Sequence, residues 1–215
     1  LEGAPAALDL PADRPRPKTS SGRGATHAFA IPPNVTESLR KLARGSGATM
    51  FMALLTGFVA LLHRISGEAD IVVGAPVASR PRAELEPLIG FFLNTLVLRN
   101  DAAGDPSFGE LLLRVRETTL GAYAHRDLPF ERLVEELHPT RDLSRAPLFQ
   151  VMFTLQNAPL PPLSLPGVML RPLETETHAS KFDLTLTMAE TPAGTMLAAF
   201  EYATDLFDAS TMARM

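Results

Sequence analysis

The sequence predicts an α/β protein built as a mixed-sheet layered sandwich. Stretches in the first two thirds repeat apolar side chains three and four residues apart, as helices do, whereas the last third alternates apolar and polar residues, as half-buried strands do. Helices therefore cluster early and strands late, which differs from a regular βαβ repeat. The chain has 215 residues and no internal repeat, which indicates one large domain or two small lobes.

The first 24 residues predict an extended segment lying on a surface. They are rich in proline, which removes backbone donors, and they end in Ser20–Gly24, which adds chain entropy. A short strand is predicted at 27–31. Asn34 is then placed to cap a helix that runs to about Arg44.

The central stretch predicts the core of the protein. Thr49 begins a strongly apolar helix that ends before Gly67, and the β-branched run 70–74 is typical of a buried strand. The remaining predictions, in order, are a proline-containing loop at 75–88, a strand at 93–99, a helix at 108–123 opened by a capping box at Ser107 and Glu110, a short helix at 129–137, strands at 149–156, 168–173, 182–188 and 196–202, and a last helix capped by Asp208.

Composition excludes several classes of protein. Hydrophobic residues make up 46%, enough to bury a core, and the 24 acidic residues exceed the 20 basic ones, which disfavours nucleic-acid binding. Cysteine is absent, so disulfide frameworks, thiolate metal sites and cysteine nucleophiles are excluded. No apolar run is long enough to span a membrane, and no secretory signal opens the chain. These features predict a cytoplasmic protein with neither nucleic-acid nor membrane partners.

Local motifs for catalysis are missing. The five histidines show no i, i+4 pair and no His-Glu-x-x-His pattern, so no metal site is expected. The Gly-x-Ser-x-Gly pattern of α/β hydrolases does not occur. Ser38 and Lys41 match Ser-x-x-Lys, but they fall on an amphipathic surface helix. We therefore expect no catalytic residue within this chain.

Three longer segments are more specific. They are Ile89–Arg99 (IGFFLNTLVLR), His125–Glu131 (HRDLPFE) and Arg141–Phe153 (RDLSRAPLFQVMF), in this order. Together they resemble the later core motifs of condensation domains of nonribosomal peptide synthetases. The flanking segments Asp70–Arg80 and Lys181–Leu186 fit the same family, so the resemblance covers nearly the whole chain.

The resemblance implies a fold similar to chloramphenicol acetyltransferase, built as two lobes in a V with the active-site tunnel between them. In this family the amine of a carrier-bound aminoacyl thioester attacks a carrier-bound acyl or peptidyl thioester, and an amide forms. No cofactor is implied in the domain itself, because 4′-phosphopantetheine is carried by the partner proteins. The implied partners are the first lobe, the upstream and downstream peptidyl carrier proteins and a following adenylation domain.

The family's catalytic signature, His-His-x-x-x-Asp-Gly, is absent, since no two histidines are adjacent. We therefore expect a piece of a longer chain, with residues 1–25 as a linker between lobes and residues 26–215 as the C-terminal lobe. The N-terminal catalytic lobe would then be missing, and the piece alone would be inactive. The stretch Arg141–Arg145 resembles that of domains that act on an L-configured donor.

The resemblance and the local chemistry together give candidates for the substrate tunnel or the lobe interface: Asn94, Thr95, His125, Asp127, Arg141, Asp142, Arg145, Ser180, Lys181 and Asp183. Asn94 and Thr95 either face the cleft at the start of a strand or bond locally to the backbone. Asp127 is expected to cap a helix first and to serve a site second. The family layout also suggests that loop 75–88 floors the tunnel.

The charged candidates keep two interpretations each. Arg141 and Arg145 either hold a loop through a bidentate ion pair with Asp142, or they contact the signature aspartate or a pantetheine phosphate across the lobes. Lys181 and Asp183 are predicted to share one strand face as an ion pair, with cleft lining as the alternative.

Two other functions stay open. The chain is either a non-catalytic docking or scaffold lobe, usable as an exchange unit, or a free-standing CoA-dependent acyltransferase of the same fold. An upstream His-His-x-x-x-Asp-Gly sequence would favour the enzyme, and a degenerate one would favour the scaffold.

Overall fold

A computed structural model describes residues 1–78, 84, 88–90, 92–139, 142–156 and 178–215 of the chain. The predicted strand at 168–173 lies outside these residues, and so does most of the loop at 75–88. The helices and strands are, in chain order, β1 Gly24–Ile31, α1 Pro33–Gly45, α2 Met50–Ser66, β2 Asp70–Ala78, β3 Leu93–Asp101, α3 Phe108–Ala124, α4 Phe130–Leu137, β4 Val151–Gln156, β5 Leu184–Glu190, β6 Met196–Ala203 and α5 Ala209–Arg214.

The described strands form a six-stranded sheet in the order β1-β6-β5-β4-β2-β3. β4 runs parallel to both neighbours, β2 and β5, while the other pairs are antiparallel. The mixed sheet that the sequence predicts is therefore confirmed. The two parallel pairings require long crossover connections, which explains why the order of strands in the sheet differs from their order in the chain.

One face of the sheet is covered by helices and forms the core. α2 lies against it with Leu55 and Leu62 completely buried, as its apolar periodicity predicts. Phe153 of β4 packs beside both Phe51 and Phe58 of α2, with ring centres 5.3 and 6.0 Å away. α1 and α3 both pack against α2, so this helix joins the helical layer together.

The other face of the sheet, which we call the second face, carries mostly small or polar side chains. The strand register places one row of residues across five strands of this face: Thr26, Glu201, Thr185, Met152 and Gly74. Thr26 is exposed, and the side chains of Thr185 and Glu201 are half-buried. The Glu201 carboxylate, on β6 next to the edge strand β1, therefore lies between two threonines.

The ends of two helices follow the sequence prediction. The Thr49 hydroxyl accepts the Met52 N–H at the start of α2, and Gly67 ends this helix in the left-handed conformation at φ 75°. Ser107 and Glu110 form the predicted capping box of α3, in which the Glu110 carboxylate accepts the Ser107 N–H at 2.8 Å. Both helices therefore begin where the capping chemistry of the sequence predicts.

The predicted start of α1 is wrong. Pro32 is the N-cap residue and Pro33 is the first helical residue, so Asn34 lies inside the helix and does not cap it. Proline is favoured at the first helical position because its fixed φ suits the helix and its missing N–H would have no partner there.

Residues 1–23, which we call the strap, follow the surface as predicted but are also anchored in the core. Leu8 and Leu10 are buried and belong to the main hydrophobic cluster. The Leu8 N–H donates to the side-chain oxygen of buried Gln150 at 2.9 Å. Proline-rich composition predicts the extended backbone of the strap, but two leucines fix where it lies.

The strap also caps the last helix. Asp208 occupies the predicted N-cap position of α5, but its side chain makes no capping bond. The Asp13 carboxylate instead accepts the Asp208 N–H at 2.8 Å and the Thr211 hydroxyl at 2.9 Å. Donation by that N–H, and then by the hydroxyl, lowers the pKa of Asp13. The Asp208 carboxylate is left to pair with Arg14.

In the part of the chain that the structure describes, no single helix is long and apolar enough to cross a membrane. The pair α1 and α2, which are bent by 109° relative to each other, passes that test of length and composition together.

Candidate functional site

The described candidates fall in two regions of the fold. Asn94, Thr95, His125 and Asp127 lie where the start of β3 meets the loop between α3 and α4. The second group, around the start of β5, is Asp142, Arg145, Ser180, Lys181 and Asp183. Arg141 lies outside the described residues.

Asn94 ties β3 to the α3–α4 loop through its whole side-chain amide. The amide nitrogen donates to the carbonyl oxygens of Arg126 and Leu128, each at 2.7 Å. The amide oxygen accepts the N–H groups of Thr95 at 2.9 Å and Phe130 at 3.1 Å. Of the two interpretations, backbone bonding is confirmed, and it extends beyond the strand end to the loop that carries the second motif.

The other residues of this region have simpler positions. His125 is the exposed C-cap residue of α3, and its backbone N–H donates to the Ala122 carbonyl oxygen. The predicted capping position of Asp127 is wrong, because Pro129 is the N-cap residue of α4 and enters the helix in an extended conformation. The first N–H of this helix, that of Phe130, is accepted by Asn94 from β3.

The second region surrounds a cleft of about 210 Å³, which we call the polar cleft. The strap forms one side of it, and the Asp142–Ala146 turn and the start of β5 form the others. The residues that line it are Arg16, Pro17, Ser20, Leu143, Ser144, Arg145, Ala146, Lys181, Phe182, Asp183, Ala203, Asp205 and Leu206. Charged side chains of both signs therefore share a small space.

Lys181 and Asp183 do not form the predicted ion pair. Asp183 is buried and binds Arg16 of the strap, whose guanidinium meets both carboxylate oxygens, one of them at 2.9 Å. β5 begins at Leu184, so neither residue lies on the strand face that the pairing would need. Both line the polar cleft, which is the alternative interpretation.

Asp142 organises the turn that carries the third motif. One carboxylate oxygen accepts the hydroxyl of Ser144 at 2.7 Å and its backbone N–H at 2.8 Å, and these bonds lower the pKa of Asp142. The Arg145 Nε lies 3.7 Å from the other oxygen. Arg145 therefore pairs with Asp142 as predicted, but through one nitrogen and not in a bidentate manner.

Ser180 and Lys181 connect the cleft to the second face of the sheet. The buried Ser180 hydroxyl donates to the Phe182 carbonyl oxygen at 2.6 Å, and the Ser180 N–H donates to the Gly22 carbonyl oxygen. Lys181 is exposed, and its charge lowers the pKa of Glu201. Burial acts in the opposite direction and is the larger effect, so the pKa of Glu201 is raised.

Sequence reasoning missed Arg16, Glu201 and Gln150. Arg16 lies in a segment that composition marks only as a linker, and its partner Asp183 is 167 residues away. Gln150 falls within the third motif, and its amide joins the strap to the Ala146 carbonyl oxygen. A polar residue inside an apolar run was the available signal for both Gln150 and Glu201, because burial demands partners for such groups.

A larger apolar groove of about 370 Å³ lies between α1, α2 and the β1 side of the sheet, and it contains none of the predicted site residues. Within the described residues, no three His, Asp or Glu side chains converge as a metal ion would need. The polar cleft pairs charges of distant segments, as Arg16 and Asp183 show, which suits it to hold these segments together.

A family model for the condensation domain matches residues 1–215. The chain belongs to the condensation-domain family. A linear gramicidin synthase protein of Brevibacillus parabrevis is 54% identical over 215 residues, which are 99% of this chain and 3% of that protein. Bacitracin synthase 3 of Bacillus licheniformis is 46% identical over 215 residues, which are 100% of this chain and again 3% of that protein. The chain therefore spans a small part of the nonribosomal peptide synthetases to which it is homologous.

Solved structures agree with this membership. The four-domain nonribosomal peptide synthetase holo-AB3403, bound to AMP and glycine, has a TM-score of 0.88 at 28% identity over 97% of this chain and 17% of that chain. A complex of the X-domain and OxyB from teicoplanin biosynthesis gives 0.85 at 31% identity, over 99% of this chain and 47% of that chain. The predicted fold, one lobe of the chloramphenicol acetyltransferase-like type, is confirmed.

Proposed function

We propose that this chain is the C-terminal lobe of a condensation domain that forms peptide bonds in nonribosomal peptide synthesis. The observation that carries the proposal is the match of the condensation family to all 215 residues, with three long motifs in order. In the reaction, the acceptor amine attacks the donor thioester, a C–N bond forms and the C–S bond breaks. The amine proton goes to a base and is then passed to the departing sulfur, so that the donor carrier's thiol is released.

The base belongs to the first lobe in this proposal, because no adjacent histidines occur in the chain. Residues 1–25 then connect the lobes, and the substrates arrive on the phosphopantetheine arms of two peptidyl carrier proteins. An adenylation domain of the same synthetase loads the acceptor carrier. The donor is L-configured, as the Arg141–Arg145 stretch suggests. The chain alone does not form the amide.

The geometry supports a lobe interface at the polar cleft. Arg145 is partly exposed and only loosely paired with Asp142, and Lys181 is exposed beside it. An exposed or loosely paired cation can take up an anionic group that comes into contact with it, whereas water and salt screen the attraction at longer distances. A carboxylate of the first lobe or the phosphate of a carrier arm is the chemistry that they suit.

The test is a complementation assay. The chain is mixed with the first lobe encoded upstream and with two loaded carrier proteins, and the amide product is followed by intact-protein mass spectrometry. Product is expected with both lobes and with neither lobe alone. The matched control replaces the second histidine of the first lobe's signature with alanine, which should abolish product. Amide formation by this chain alone would overturn the assignment of catalysis to the first lobe.

A second candidate is a non-catalytic docking lobe. The X-domain from teicoplanin biosynthesis, a relative of the same fold, forms a complex with another protein, OxyB. The complementation assay separates the two functions. Verified association of the lobes with loaded carriers present but no product would favour docking.

A further inference from the structure

One guanidinium group joins three distant parts of the chain. Arg16 of the strap binds both carboxylate oxygens of Asp183 at the start of β5, and its Nη1 also donates to the Ser144 carbonyl oxygen at 3.0 Å. Ser144 and Asp183 are 128 and 167 residues away from Arg16 in sequence. The side chains of Arg16 and Asp183 are 21% and 9% exposed, so solvent screens this ion pair weakly.

The two partners of Arg16 are themselves fixed. The Asp183 N–H donates to the Gln150 carbonyl oxygen at 2.9 Å, and the Asp183 carbonyl oxygen accepts the Ala203 N–H at 3.0 Å. On the other side, Ser144 is bound by the Asp142 carboxylate, which also pairs with Arg145. Movement of Arg16 would therefore displace both walls of the polar cleft.

A second arginine, two residues earlier, provides a natural comparison. Arg14 pairs with Asp208, the residue that precedes α5. The side chains of this pair are 47% and 48% exposed. An exposed pair of this kind contributes little, whereas loss of one partner from a buried pair leaves an uncompensated charge. The same type of residue, on the same strap, thus makes one exposed and one largely buried ion pair.

We propose that Arg16 is a positioning residue of the polar cleft: it holds the Asp142–Ala146 turn and the start of β5 in register. The directions in which Arg145 and Lys181 project then depend on the strap. Arg16 lies outside the three motifs, and the chemistry that it serves is performed by the groups that it positions.

The first test is hydrogen exchange of the 215-residue chain, read by mass spectrometry. In Arg16→Gln, peptides covering 142–150 and 180–184 are expected to exchange at least tenfold faster than in the unmodified chain. Arg16→Lys keeps the charge and should recover part of the protection. Arg14→Gln should change these peptides less than twofold. Cleft peptides within twofold of the unmodified chain in Arg16→Gln, or equal acceleration in every peptide, would overturn the proposal.

The second test uses the intact synthetase and rests on the proposed function. Arg16→Gln should lower kcat/KM for amide formation at least tenfold, Arg16→Lys should lie between it and the unmodified enzyme, and Arg14→Gln should remain within twofold. Equal losses in Arg16→Gln and Arg14→Gln would contradict a positioning role. Absence of product from the unmodified synthetase would contradict the proposed function instead, and the exchange result would still decide the role of Arg16.

Discussion

Replacement of Gly74 by alanine tests how tightly the second face is packed. A Cβ at this position would lie 2.2 Å from Cε2 and 2.3 Å from Cζ of Phe149. Carbon atoms in contact are normally about 3.5–4.0 Å apart, so the ring would have to move by more than 1 Å. Phe149 is buried between the rings of Phe130 and Phe182, at 5.6 and 5.2 Å, which leaves it little room.

The expected cost follows from two opposing effects. Forcing extra volume into a packed core costs about 1–3 kcal/mol, and the confined ring places Gly74→Ala at the upper end. Alanine in place of a strand glycine returns about 0.5–1 kcal/mol through lower backbone entropy in the unfolded state. We therefore expect the free energy of unfolding to fall by about 2 kcal/mol.

The assay is urea unfolding followed by circular dichroism, with Gly121→Ala as the matched control. Gly121 lies inside α3, and a Cβ there would meet no atom within 4 Å. The control should gain about 0.5–1 kcal/mol, because alanine is the better helix former. A double variant with Phe149→Leu should show a smaller penalty for Gly74→Ala. A Gly74→Ala chain as stable as the unmodified one would refute the packing argument.

Three further predictions concern polar side chains. Asn94→Ala should lower the free energy of unfolding by about 1–2 kcal/mol, because the four hydrogen bonds of its amide are lost. Asn34→Ala should change it by less than about 0.5 kcal/mol, because Asn34 does not cap α1. Equal effects of the two variants in urea unfolding would refute these two assignments. The lowered pKa of Asp13 means that its ionised form stabilises the fold. This stabilisation is complete above the ordinary carboxyl pKa and is lost as the pH falls through the folded-state pKa. Asp13→Asn should remove this part of the acid sensitivity when unfolding is measured at about pH 2–6, and an unchanged pH profile would contradict the prediction. Lys181→Ala should raise the pKa of Glu201 further, because the positive charge that favours the ionised carboxylate is removed. The pKa is measured by carbon NMR of the carboxyl group. An unchanged or lowered pKa would show that Lys181 does not act on Glu201.

Local chemistry explains which elements the sequence predicts well. Thr49 and Ser107 cap their helices through bonds to residues three positions away, so the signal lies within one turn. The same reasoning failed at Asn34, where two prolines set the helix start earlier. Polar capping and proline geometry compete at such positions, and the sequence alone does not show which of them sets the start of the helix.

Long-range pairing explains what the sequence does not predict. Lys181 and Asp183 are only two residues apart in sequence, but Asp183 binds Arg16 of the strap instead. A buried carboxylate requires a partner, and this partner comes from a distant segment of the chain. Asp13 likewise caps a helix at the other end of the chain. The family motifs identify the regions around both groups of candidates. The contacts that hold those regions come from residues outside the motifs.

The pairing of the strap and β1 with late parts of the chain has a consequence for synthesis on the ribosome. β1 pairs with β6, and Arg16 meets Asp183, 167 residues further on. At typical translation rates of about 5–20 residues per second, the nascent strap and β1 would wait roughly 10–30 s for these partners. Arg16 and β1 therefore reach their native pairing only after most of the 215 residues have been synthesised, and chaperones can act on them during that interval.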